Sequence, residues 1–579
     1  MAQPNAGTTR TDDAFGPWNP GIGSSVPKEL RHLATIYRAE NVFNSLAAAT
    51  ELRGLTGFGL SELAVFRPQR LALHELLVRI TADFAVPDGS RIEDLGLNFR
   101  EMARLLLGKY LDPEMGAIIG AYERARQGLG RIIGAALTRL SREWGPAEIA
   151  EFERLAAATH EPLAATAYRV LARVLSALFA THGFAWGTKE LIASIATDMA
   201  CNDHGSDCIG GTIAPLLRRA AVEEGYRLLP RQQHPVVINT KGPSASGKST
   251  LRPLQRHLAG VIGVQWSDFA LISPDIWRKQ LLDYATLGAA YKYAGAFTSD
   301  ELQIVDQKLD RYMAGKFQRG EMSHLLIDRF RFDSFAGGSE EEGSNLLTRF
   351  GQSVYLFFLI TPPQLLVERA WTRGLEVGRY KAVDDTLAHA VEAYSGIPHV
   401  FFTWVHRTDK RIQFEFLDNT VRLGERPRTV AFGDNDTFNV LNVKATLDIE
   451  RYSRLHVDAA NADSLYTDRA LLQPERNVAF LKRCVASFRC VNFADQASGR
   501  IYLRIESGKP VVTDQAALAA AVLDADTLAG IRAVAADALR GGAPVADRIE
   551  YLDAAAGRGL LPTLGQWGGR RQEVAPPDS

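Results

Sequence analysis

The hydrophobic and polar positions of this chain begin in a helical pattern. From residue 26 to about residue 230, apolar residues recur at intervals of three and four, most clearly at 99–108, 147–155 and 165–179. This spacing places the apolar side chains on one face of a helix. We therefore predict a mainly helical domain over residues 26–230. The polar, Gly- and Pro-rich residues 1–25 are predicted to be a disordered lead-in.

The pattern becomes strand-like at about residue 231. Short β-branched and aromatic runs, the first four separated by helical segments, lie at 234–240, 269–272, 324–328, 354–360 and 412–417. Strands that alternate with helices form a parallel sheet with helices on both of its faces. Residues 231–451 are therefore predicted to form an α/β domain with a mostly parallel sheet.

In the last part of the chain the pattern is again mainly helical. Strand-like runs at 500–505 and 509–513 precede an Ala-, Leu- and Asp-rich helical stretch at 515–556. These features predict a smaller α+β region, helical for the most part, over residues 452–564. The Gly-, Arg- and Pro-rich residues 565–579 are predicted to be a flexible tail.

The composition narrows the class of protein. A chain of 579 residues is too long for one hydrophobic core. Basic and acidic side chains number 66 and 67, a balance that disfavours a nucleic-acid or membrane-surface binder. No apolar run reaches about 18 residues, so no membrane-spanning helix is predicted. Because residues 1–25 also lack an apolar secretory segment, we expect a cytoplasmic protein, with export as an effector left open.

The four cysteines are too few for a disulfide scaffold and suit a reducing compartment. Cys201, His204 and Cys208 lie close together, but their spacing matches no standard zinc motif. Small buried thiols beside a polar loop are the favoured interpretation, and metal binding at these residues stays open.

Residues 242–249, GPSASGKS, match the phosphate-binding pattern G-x-x-x-x-G-K-[ST] at every fixed position. A strand-like run precedes them and a helical pattern follows at 249–259, as a P-loop requires. The glycines let backbone N–H groups turn toward phosphate oxygens, and the following helix directs its positive end at them. The residues predicted to bind ATP are Gly242, Ser244, Ala245, Ser246, Gly247, Lys248, Ser249 and Thr250.

Two side chains of this loop have separate chemical roles. Lys248 can neutralise the β- and γ-phosphates during transfer, and Ser249 supplies a hydroxyl to Mg²⁺. Asp328 ends a hydrophobic strand-like run in the manner of a Walker B carboxylate and is the second predicted Mg²⁺ ligand. The alternative is that Asp328 only terminates the strand. ATP and Mg²⁺ are therefore the predicted cofactors.

Asp275 follows the second strand-like run, where Pro274 begins a new helical segment. The carboxyl edge of an open α/β sheet lies beside bound phosphates, so a carboxylate there can accept the proton of an attacking hydroxyl. Capping of the next helix is the simpler alternative. Asp268 is a competing candidate for the base.

Arginines follow the fourth strand-like run. Arg369 and Arg373 are four residues apart on one helical face, and Gly374 and Gly378 loosen the chain before Arg379. Such arginines suit a flap that closes over ATP and stabilises a charged transition state. The alternative is a solvated basic face paired with neighbouring glutamates. The predicted catalytic residues are Asp275, Lys248, Arg373 and Arg379.

Taken in order, the segments GPSASGKS, SPDIWRK, LLID and ERAWTRG…GRYK resemble the zeta-toxin family of P-loop kinases over residues 231–416. The resemblance implies a P-loop kinase fold and carries over the roles of Lys248, Ser249, Asp275, and Arg373 or Arg379. Members of the family phosphorylate UDP-N-acetylamino sugars, and a related plant-pathogen type III effector phosphorylates NAD on its adenosine ribose. The 26-residue interval from the P-loop serine to the predicted base is closer to that of the effector branch.

The resemblance also implies an acceptor pocket in the insertion after the predicted base. There Tyr291, Tyr293 and Phe297 can stack on a base, and Lys292 can meet a diphosphate. An ordinary hydrophobic core is the alternative for this aromatic cluster.

These features predict an ATP-dependent kinase that transfers the γ-phosphate to a hydroxyl of a nucleotide-type small molecule, either NAD or a UDP-sugar. A polynucleotide 5′-hydroxyl kinase stays open, although the neutral net charge disfavours nucleic acid as a partner. An ATPase switch that drives the flanking helical regions is the other alternative. A protein partner or a fused inhibitory region is expected only by analogy with the helical partners of toxin-like kinases.

Overall fold

A computed structural model gives the structure of the protein, and it describes residues 15–329, 346–422, 424–552 and 561–568. Residues 1–14 of the predicted lead-in and 569–579 of the predicted tail lie outside the described residues. Within the described part, a helical N-terminal region is followed by alternating strands and helices. The expectation of an α/β fold is therefore confirmed.

One sheet contains the eleven strands of the described chain. They are β1 (Val236–Lys241), β2 (Phe269–Ile272), β3 (His324–Asp328), β4 (Ser353–Ile360), β5 (Arg411–Asp418), β6 (Arg428–Asp434), β7 (Thr437–Val440), β8 (Cys490–Ala494), β9 (Arg500–Glu506), β10 (Lys509–Val512) and β11 (Glu550–Tyr551). Their order is β10-β9-β8-β7-β6-β5-β4-β1-β3-β2, with β11 beside β9. The strands β1 to β5 are adjacent, and all of their mutual pairings are parallel.

The antiparallel pairings of the described strands all lie in the half of the sheet that extends from β5 to β10 and β11. Two-residue turns reverse the chain, so they can join only antiparallel strands. Residues 435–436 link β6 to β7 in this way, and Ser507 and Gly508, with φ of 46° and 79°, link β9 to β10. The expectation of a mostly parallel sheet over residues 231–451 therefore holds through β1 to β5, and the sheet continues beyond β5 mainly through antiparallel pairings.

The helices fall into three groups along the chain. The N-terminal group is α1 (Leu46–Thr56), α2 (Pro68–Asp83), α3 (Asp94–Leu105), α4 (Met115–Thr138), α5 (Pro146–Ala158), α6 (Pro162–His182), α7 (Lys189–Ala200) and α8 (Ser206–Glu223). The group between β1 and β5 is α9 (Arg252–Val261), α10 (Arg278–Leu281), α11 (Ala294–Phe297), α12 (Ser299–Gln318), α13 (Pro363–Val377) and α14 (Val383–Val405). The last group is α15 (Val443–Tyr452), α16 (Ala479–Ser487), α17 (Gln515–Ala521) and α18 (Ala525–Leu539). The sheet continues past residue 451, which lies inside α15.

One helix in the described part of the chain, α6, is long and apolar enough to cross a membrane by length and composition alone. Leu171 and Leu175 of α6 are completely buried in the core of the protein. The helix begins after Glu161, whose carboxylate accepts from the N–H groups of the first turn, and it ends at Gly183 with a φ of 79°. These two residues explain the boundaries of α6.

Aromatic side chains fill one face of the sheet near its centre. Phe358, Phe414 and Phe416 point to this face, because side chains alternate along neighbouring strands. The ring of Phe401 in α14 lies 4.8 Å from that of Phe414, 5.2 Å from that of Phe416 and 6.0 Å from that of Phe358. This layer holds α14 against the sheet.

The opposite face of the sheet carries a buried carboxylate. Glu415 of β5 accepts hydrogen bonds from Leu564 N at 2.6 Å and Gly565 N at 2.9 Å. Burial raises the pKa of Glu415 to about 7, although its hydrogen bonds lower it. The ring of Trp567 lies 5.0 Å from the ring of Phe432 in β6, measured between centroids. Residues 561–568, which include the beginning of the predicted tail, are therefore attached to the sheet.

Buried polar contacts between α2 and α12 join the N-terminal helices to the α/β region. Glu301 of α12 is completely buried, lies 2.7 Å from His74 Nε2, and accepts from Arg70 Nη2 at 2.6 Å. At the other end of α2, Asp83 accepts from Lys316 at 2.7 Å. A buried charge is costly unless it is paired, so these contacts favour one docking position of the two regions.

His74 makes the stability of this interface depend on pH. Burial lowers the pKa of His74 from 6.5 to about 4, although the hydrogen bond to Glu301 raises it. Below about pH 6.5 the unfolded chain therefore binds a proton that the folded chain excludes. As the pH falls from about 6.5 to about 4, we expect this group to lower the free energy of unfolding by on the order of 3 kcal/mol.

Denaturant unfolding at a series of pH values checks this expectation. His74→Gln removes the titrating group and should flatten the dependence of stability on pH within that window. His160→Gln, which alters an exposed histidine between α5 and α6, should leave the dependence unchanged. The same slope in His74→Gln and in the wild type would show that other groups cause the effect.

Candidate functional site

The carboxyl ends of β1, β2 and β3 meet at one edge of the sheet. Since β1 lies between β3 and β4, the chain leaves β1 toward β2 on one side and leaves β4 toward β5 on the other. A crevice forms outside the strand ends at such a reversal, and ligands of open α/β sheets bind there. Residues 242–249 and Asp275 follow β1 and β2, and Asp328 ends β3. The fold therefore brings these predicted site residues to one edge.

Small residues shape the loop after β1. Ala245 and Gly247 have positive φ angles of 65° and 91°. A Cβ on Gly242 would lie 2.8 Å from Ser246 Oγ, and one on Gly247 would lie 2.3 Å from Asn419 Nδ2. Side chains at these two positions would displace the loop. The buried Ser246 hydroxyl has no hydrogen-bond partner among the described residues, and it is a polar group that a ligand can satisfy.

Lys248 points back across this loop. Its Nζ donates to the carbonyl oxygens of Gly242 and Pro243 at 3.0 Å each. Burial lowers the pKa of Lys248, and the carboxylates of Asp328 and Asp275 oppose that shift. The ammonium group therefore lies in the electric field of both carboxylates at the edge of the sheet.

Ser249 and Asp328 connect the loop to β3. Ser249 Oγ donates to Asp328 Oδ2 at 3.0 Å. Mg²⁺ in nucleotide sites usually takes one or two protein oxygens and completes its shell with water and phosphate oxygens, so a hydroxyl beside a carboxylate is a suitable pair. The helix predicted at 249–259 begins as a 3-10 turn, Lys248–Leu251, and α9 starts at Arg252.

Asp275 lies on a 3-10 turn, Pro274–Trp277, that follows β2. Its Oδ1 accepts from Arg278 Nε at 2.9 Å, and its Oδ2 accepts from Arg379 Nη2. Burial raises the pKa of Asp275, but the charges of Arg379 and Arg278 outweigh burial and hold the pKa well below its usual range. The carboxylate is therefore ionised at neutral pH, and each of its oxygens contacts a guanidinium group.

The turn that carries Asp275 is anchored to the N-terminal helices. Trp277 is completely buried, and its Nε1 donates to Thr81 Oγ1 of α2 at 3.1 Å. Asp268, the competing candidate for the base, lies just before β2 and is bonded to Arg227. The two carboxylates therefore lie at opposite ends of β2. Asp275 lies at the edge of the sheet that also carries the P-loop.

The three arginines of the predicted flap occupy different positions. Arg379, in the connection between α13 and α14, contacts Asp275. Arg373 Nε is buried with no hydrogen-bond partner among the described residues, and burial and the charge of Arg379 lower the pKa of Arg373 to about 9. Arg369 instead donates to two carbonyl oxygens of the loop after β5, at 2.8 Å each. Arg373 and Arg379 therefore lie at the site, and Arg369 supports a neighbouring loop.

A lysine and a histidine without a role in the sequence-based hypothesis lie beside these arginines. Lys381 is hydrogen-bonded to His389 and lies 3.6 Å from Asp385, which is 3.3 Å from His389 Nε2. Burial lowers the pKa of Lys381 to about 7 and that of His389 to about 2. The charge of Arg373 lowers the pKa of Lys381 further, and the charge of Asp275 raises it. The site therefore combines several cations with few carboxylates, which suits a polyanionic ligand.

The aromatic insertion is divided between core and surface. Phe297 is 2% exposed and packs beside Tyr293, 6.2 Å between ring centroids, so it is not available to stack on a base. The ring of Tyr291 lies 5.9 Å from that of Tyr380, and Lys292 Nζ lies 5.0 Å from the same ring. Tyr291 and Lys292 therefore contact Tyr380, which lies next to Arg379 in the connection between α13 and α14.

Asn419 supports the P-loop, although no sequence pattern singles it out. This residue follows β5 and is 5% exposed, and its Nδ2 donates to Ser246 O at 2.6 Å. Its carbonyl oxygen accepts from Arg369 Nη2, and its N–H donates to Ile360 O at 3.0 Å. The two hydrogen-bonded residues, 246 and 419, are 173 positions apart, so local spacing gives no signal of the contact.

Asn419→Ala should loosen the P-loop. The substitution leaves the buried Ser246 carbonyl without its amide partner, and we expect the affinity for ATP to fall by about tenfold. Titration calorimetry with a non-hydrolysable ATP analogue measures this change. Asn435→Ala is a matched control, because it removes an amide that binds the other end of β5, and it should lower thermal stability without changing ATP affinity. Equal affinities of Asn419→Ala and the wild type would contradict the supporting role.

Cys201 and Cys208 lie where α7 meets α8. Cys201 is completely buried, and Cys208 Sγ lies 3.5 Å from His204 Nε2. Across the described ranges, no group of three or more His, Cys, Asp or Glu residues is arranged to hold a metal ion.

Comparison with known proteins gives little further information. No protein-family model matches the chain, and no curated protein matches it. A solved chain from the PezAT chromosomal toxin-antitoxin system of the human pathogen Streptococcus pneumoniae is similar over 37% of this chain and 78% of that chain, with 16% identity and a TM-score of 0.23. A likeness at this level supports no conclusion about the site.

Proposed function

We propose that the protein is an ATP-dependent kinase of the P-loop class, which transfers the γ-phosphate to a hydroxyl of a small nucleotide-type acceptor, NAD or a UDP-sugar. The observation that carries this proposal is the convergence, at one edge of the sheet, of a phosphate-binding loop, a hydroxyl–carboxylate pair and an arginine-bound carboxylate. A nucleotide switch requires the first two elements. The third element, Asp275, favours transfer to an acceptor.

The loop and its neighbours would hold the cofactors. In this proposal, residues 242–250 bind the phosphates of ATP, with Lys248 as a charged donor, and Ser249 and Asp328 bind Mg²⁺. The small residues of the loop and the buried, unpartnered Ser246 hydroxyl support the fit of a phosphate group. Bound Mg²⁺ would supply positive charge that neutralises the phosphate oxygens.

Asp275 would act on the acceptor. It accepts the proton of the acceptor hydroxyl while the new O–P bond forms and the bond between the γ-phosphorus and ADP breaks. A weakly basic carboxylate is adequate, because phosphoryl transfer depends mainly on positioning and charge. Arg373 and Arg379 stabilise the negative charge on the transferring group. For this role Arg379 must leave Asp275.

The acceptor would lie beside Asp275, next to Tyr291 and Lys292. Arg278, and Lys381 in its protonated form, lie near this position and favour an acceptor that carries its own phosphate groups. We also propose that residues 231–451 form the functional kinase unit, with 26–230 and 452–564 as supporting regions.

Acceptor-dependent formation of ADP tests this function. Purified protein is incubated with ATP and Mg²⁺ in parallel reactions. Each reaction contains NAD, a UDP-sugar, a nucleoside, an RNA with a 5′-hydroxyl, or no acceptor. ADP that forms only with NAD or the UDP-sugar supports the proposal. Dependence on the RNA would favour a polynucleotide kinase, and ADP formation without any acceptor would favour an ATPase switch.

A further inference from the structure

An N-terminal strap, residues 15–25, lies across the edge of the candidate site. The ring of Phe15 lies 4.4 Å from Lys292 Nζ, and the same ammonium group donates to Pro20 O at 3.3 Å. The hydroxyl of Ser24 donates to the carboxylate of Asp384, in the first turn of α14. These three contacts join the strap to two distant elements, the segment of Lys292 and α14, each of which also carries a residue that interacts with Asp275.

The path of the strap is specified by its own residues. Gly21 has a φ of 75°, and a Cβ at this position would lie 2.4 Å from the ring of Phe15. The backbone of Gly16 pairs with that of Asn19 through two hydrogen bonds of 3.0 Å. The turn therefore places the Phe15 ring over Gly21, where a side chain would displace it, and the ring also contacts Lys292.

The strap reaches the arginine flap through Lys292. The ammonium group of Lys292 lies between two rings, 4.4 Å from that of Phe15 and 5.0 Å from that of Tyr380. Tyr380 also packs against Trp371, and it directly follows Arg379 in the chain. The strap therefore touches α14 directly at Asp384, and it reaches the connection between α13 and α14 through Lys292, which lies against Tyr380.

This arrangement has a consequence for the proposed reaction. Arg278 and Arg379 each bind one oxygen of Asp275, so the Arg379 guanidinium occupies the carboxylate that an acceptor hydroxyl has to approach. Arg379 can stabilise the transferring phosphoryl group only after it leaves Asp275. Any contact that holds the connection in place therefore opposes the first step of transfer.

We infer that residues 15–25 are an autoinhibitory strap, which holds the connection between α13 and α14 in a resting position with Arg379 on Asp275. The inference rests on the proposed kinase function. The strap is held by surface contacts, with Phe15 59% exposed and Ser24 exposed, so it detaches much more easily than the buried core around α14. Release of the strap would free Arg379 to leave Asp275 and to move toward the transferring phosphate.

A double variant, Phe15→Ala with Ser24→Ala, tests the strap. It removes the ring from Lys292 and the hydroxyl from Asp384, and leaves the candidate catalytic residues unchanged. We expect hydrogen–deuterium exchange of residues 378–386 to accelerate by about tenfold, and acceptor-dependent turnover to rise by a similar factor. Ser25→Ala, an exposed neighbour on the strap, is the control and should change neither quantity. Equal melting temperatures show that the variants are folded.

The two measurements separate this inference from the kinase proposal. Unchanged exchange in residues 378–386 of the double variant would overturn the inference, whatever the enzymatic activity. Faster exchange with lower turnover would also overturn it, because the strap would then assist the reaction. If the wild type shows no transfer to any acceptor, the kinase proposal fails, and with it the inhibitory role.

Discussion

Asp275→Asn is expected to lower the rate of phosphoryl transfer by about 10²- to 10⁴-fold, the usual contribution of a general base. The amide keeps the size of the carboxylate but cannot accept the hydroxyl proton. Binding of ATP should change little, because the P-loop contacts of Lys248 and Ser249 do not pass through Asp275. Single-turnover transfer to the identified acceptor, with ATP affinity measured separately, distinguishes the two effects.

The matched control for this variant is Asp268→Asn. Asp268 precedes the strand that Asp275 follows, and it is paired with an arginine of its own, Arg227. The control should keep the rate of transfer and lose at most some stability. A transfer rate of Asp275→Asn within about threefold of the wild-type rate would remove Asp275 from the role of base.

Lys248→Ala should weaken both ATP binding and transfer. The side chain is the charged donor of the loop, and a hydrogen bond to a charged group contributes about 1.5–3 kcal/mol, so the dissociation constant for ATP should rise by about 10- to 100-fold. The rate of transfer should fall by a further 10²- to 10³-fold, because the lysine also stabilises charge in the transition state. Calorimetry of ATP binding and single-turnover kinetics measure the two effects.

Lys444→Ala serves as the control for loss of a lysine. Lys444 is 53% exposed on α15 and pairs with Asp448 of the same helix, so both ATP affinity and transfer should remain at wild-type values. If Lys248→Ala bound ATP as tightly as the control does, the loop at residues 242–249 would not be the nucleotide site.

The parts of the site that could be predicted from the sequence are those with a local signal. The P-loop is one continuous segment, and Asp275 and Asp328 each lie at the end of a short hydrophobic strand. Because parallel strands end at the same edge, a correct reading of β1, β2 and β3 is enough to expect these residues near each other. The distances between them depend on the tertiary fold.

The contacts that sequence reasoning missed are long-range. Asn419, at the end of β5, bonds to the P-loop, and Arg369 of α13 bonds to the loop that carries Asn419, so neither contact has a fixed spacing in the chain. Composition alone predicts a disordered lead-in at residues 1–25. Its residues 15–25 nevertheless contact Lys292 and Asp384, because a few specific contacts can order a polar segment.

The second half of the sheet was harder to predict for a different reason. β6 and β7 contain Gly433 and Asn439, residues that are uncommon in strands. Asn439 is nevertheless buried, where its Oδ1 accepts from Asn492 Nδ2 of β8 at 2.9 Å. The buried side chain of Asn439 is hydrogen-bonded to the neighbouring strand. This contact outweighs the low strand propensity of asparagine.

The most direct test of the kinase function is the fate of the γ-phosphate. Purified wild-type protein is incubated with γ-labelled ATP, Mg²⁺ and either NAD or a UDP-sugar, and the products are separated and identified by mass. We expect the label to appear in the acceptor, as one added phosphate on a hydroxyl, with one ADP formed for each phosphate transferred. Label found only in inorganic phosphate, at the same rate with and without the acceptors, would contradict the kinase function.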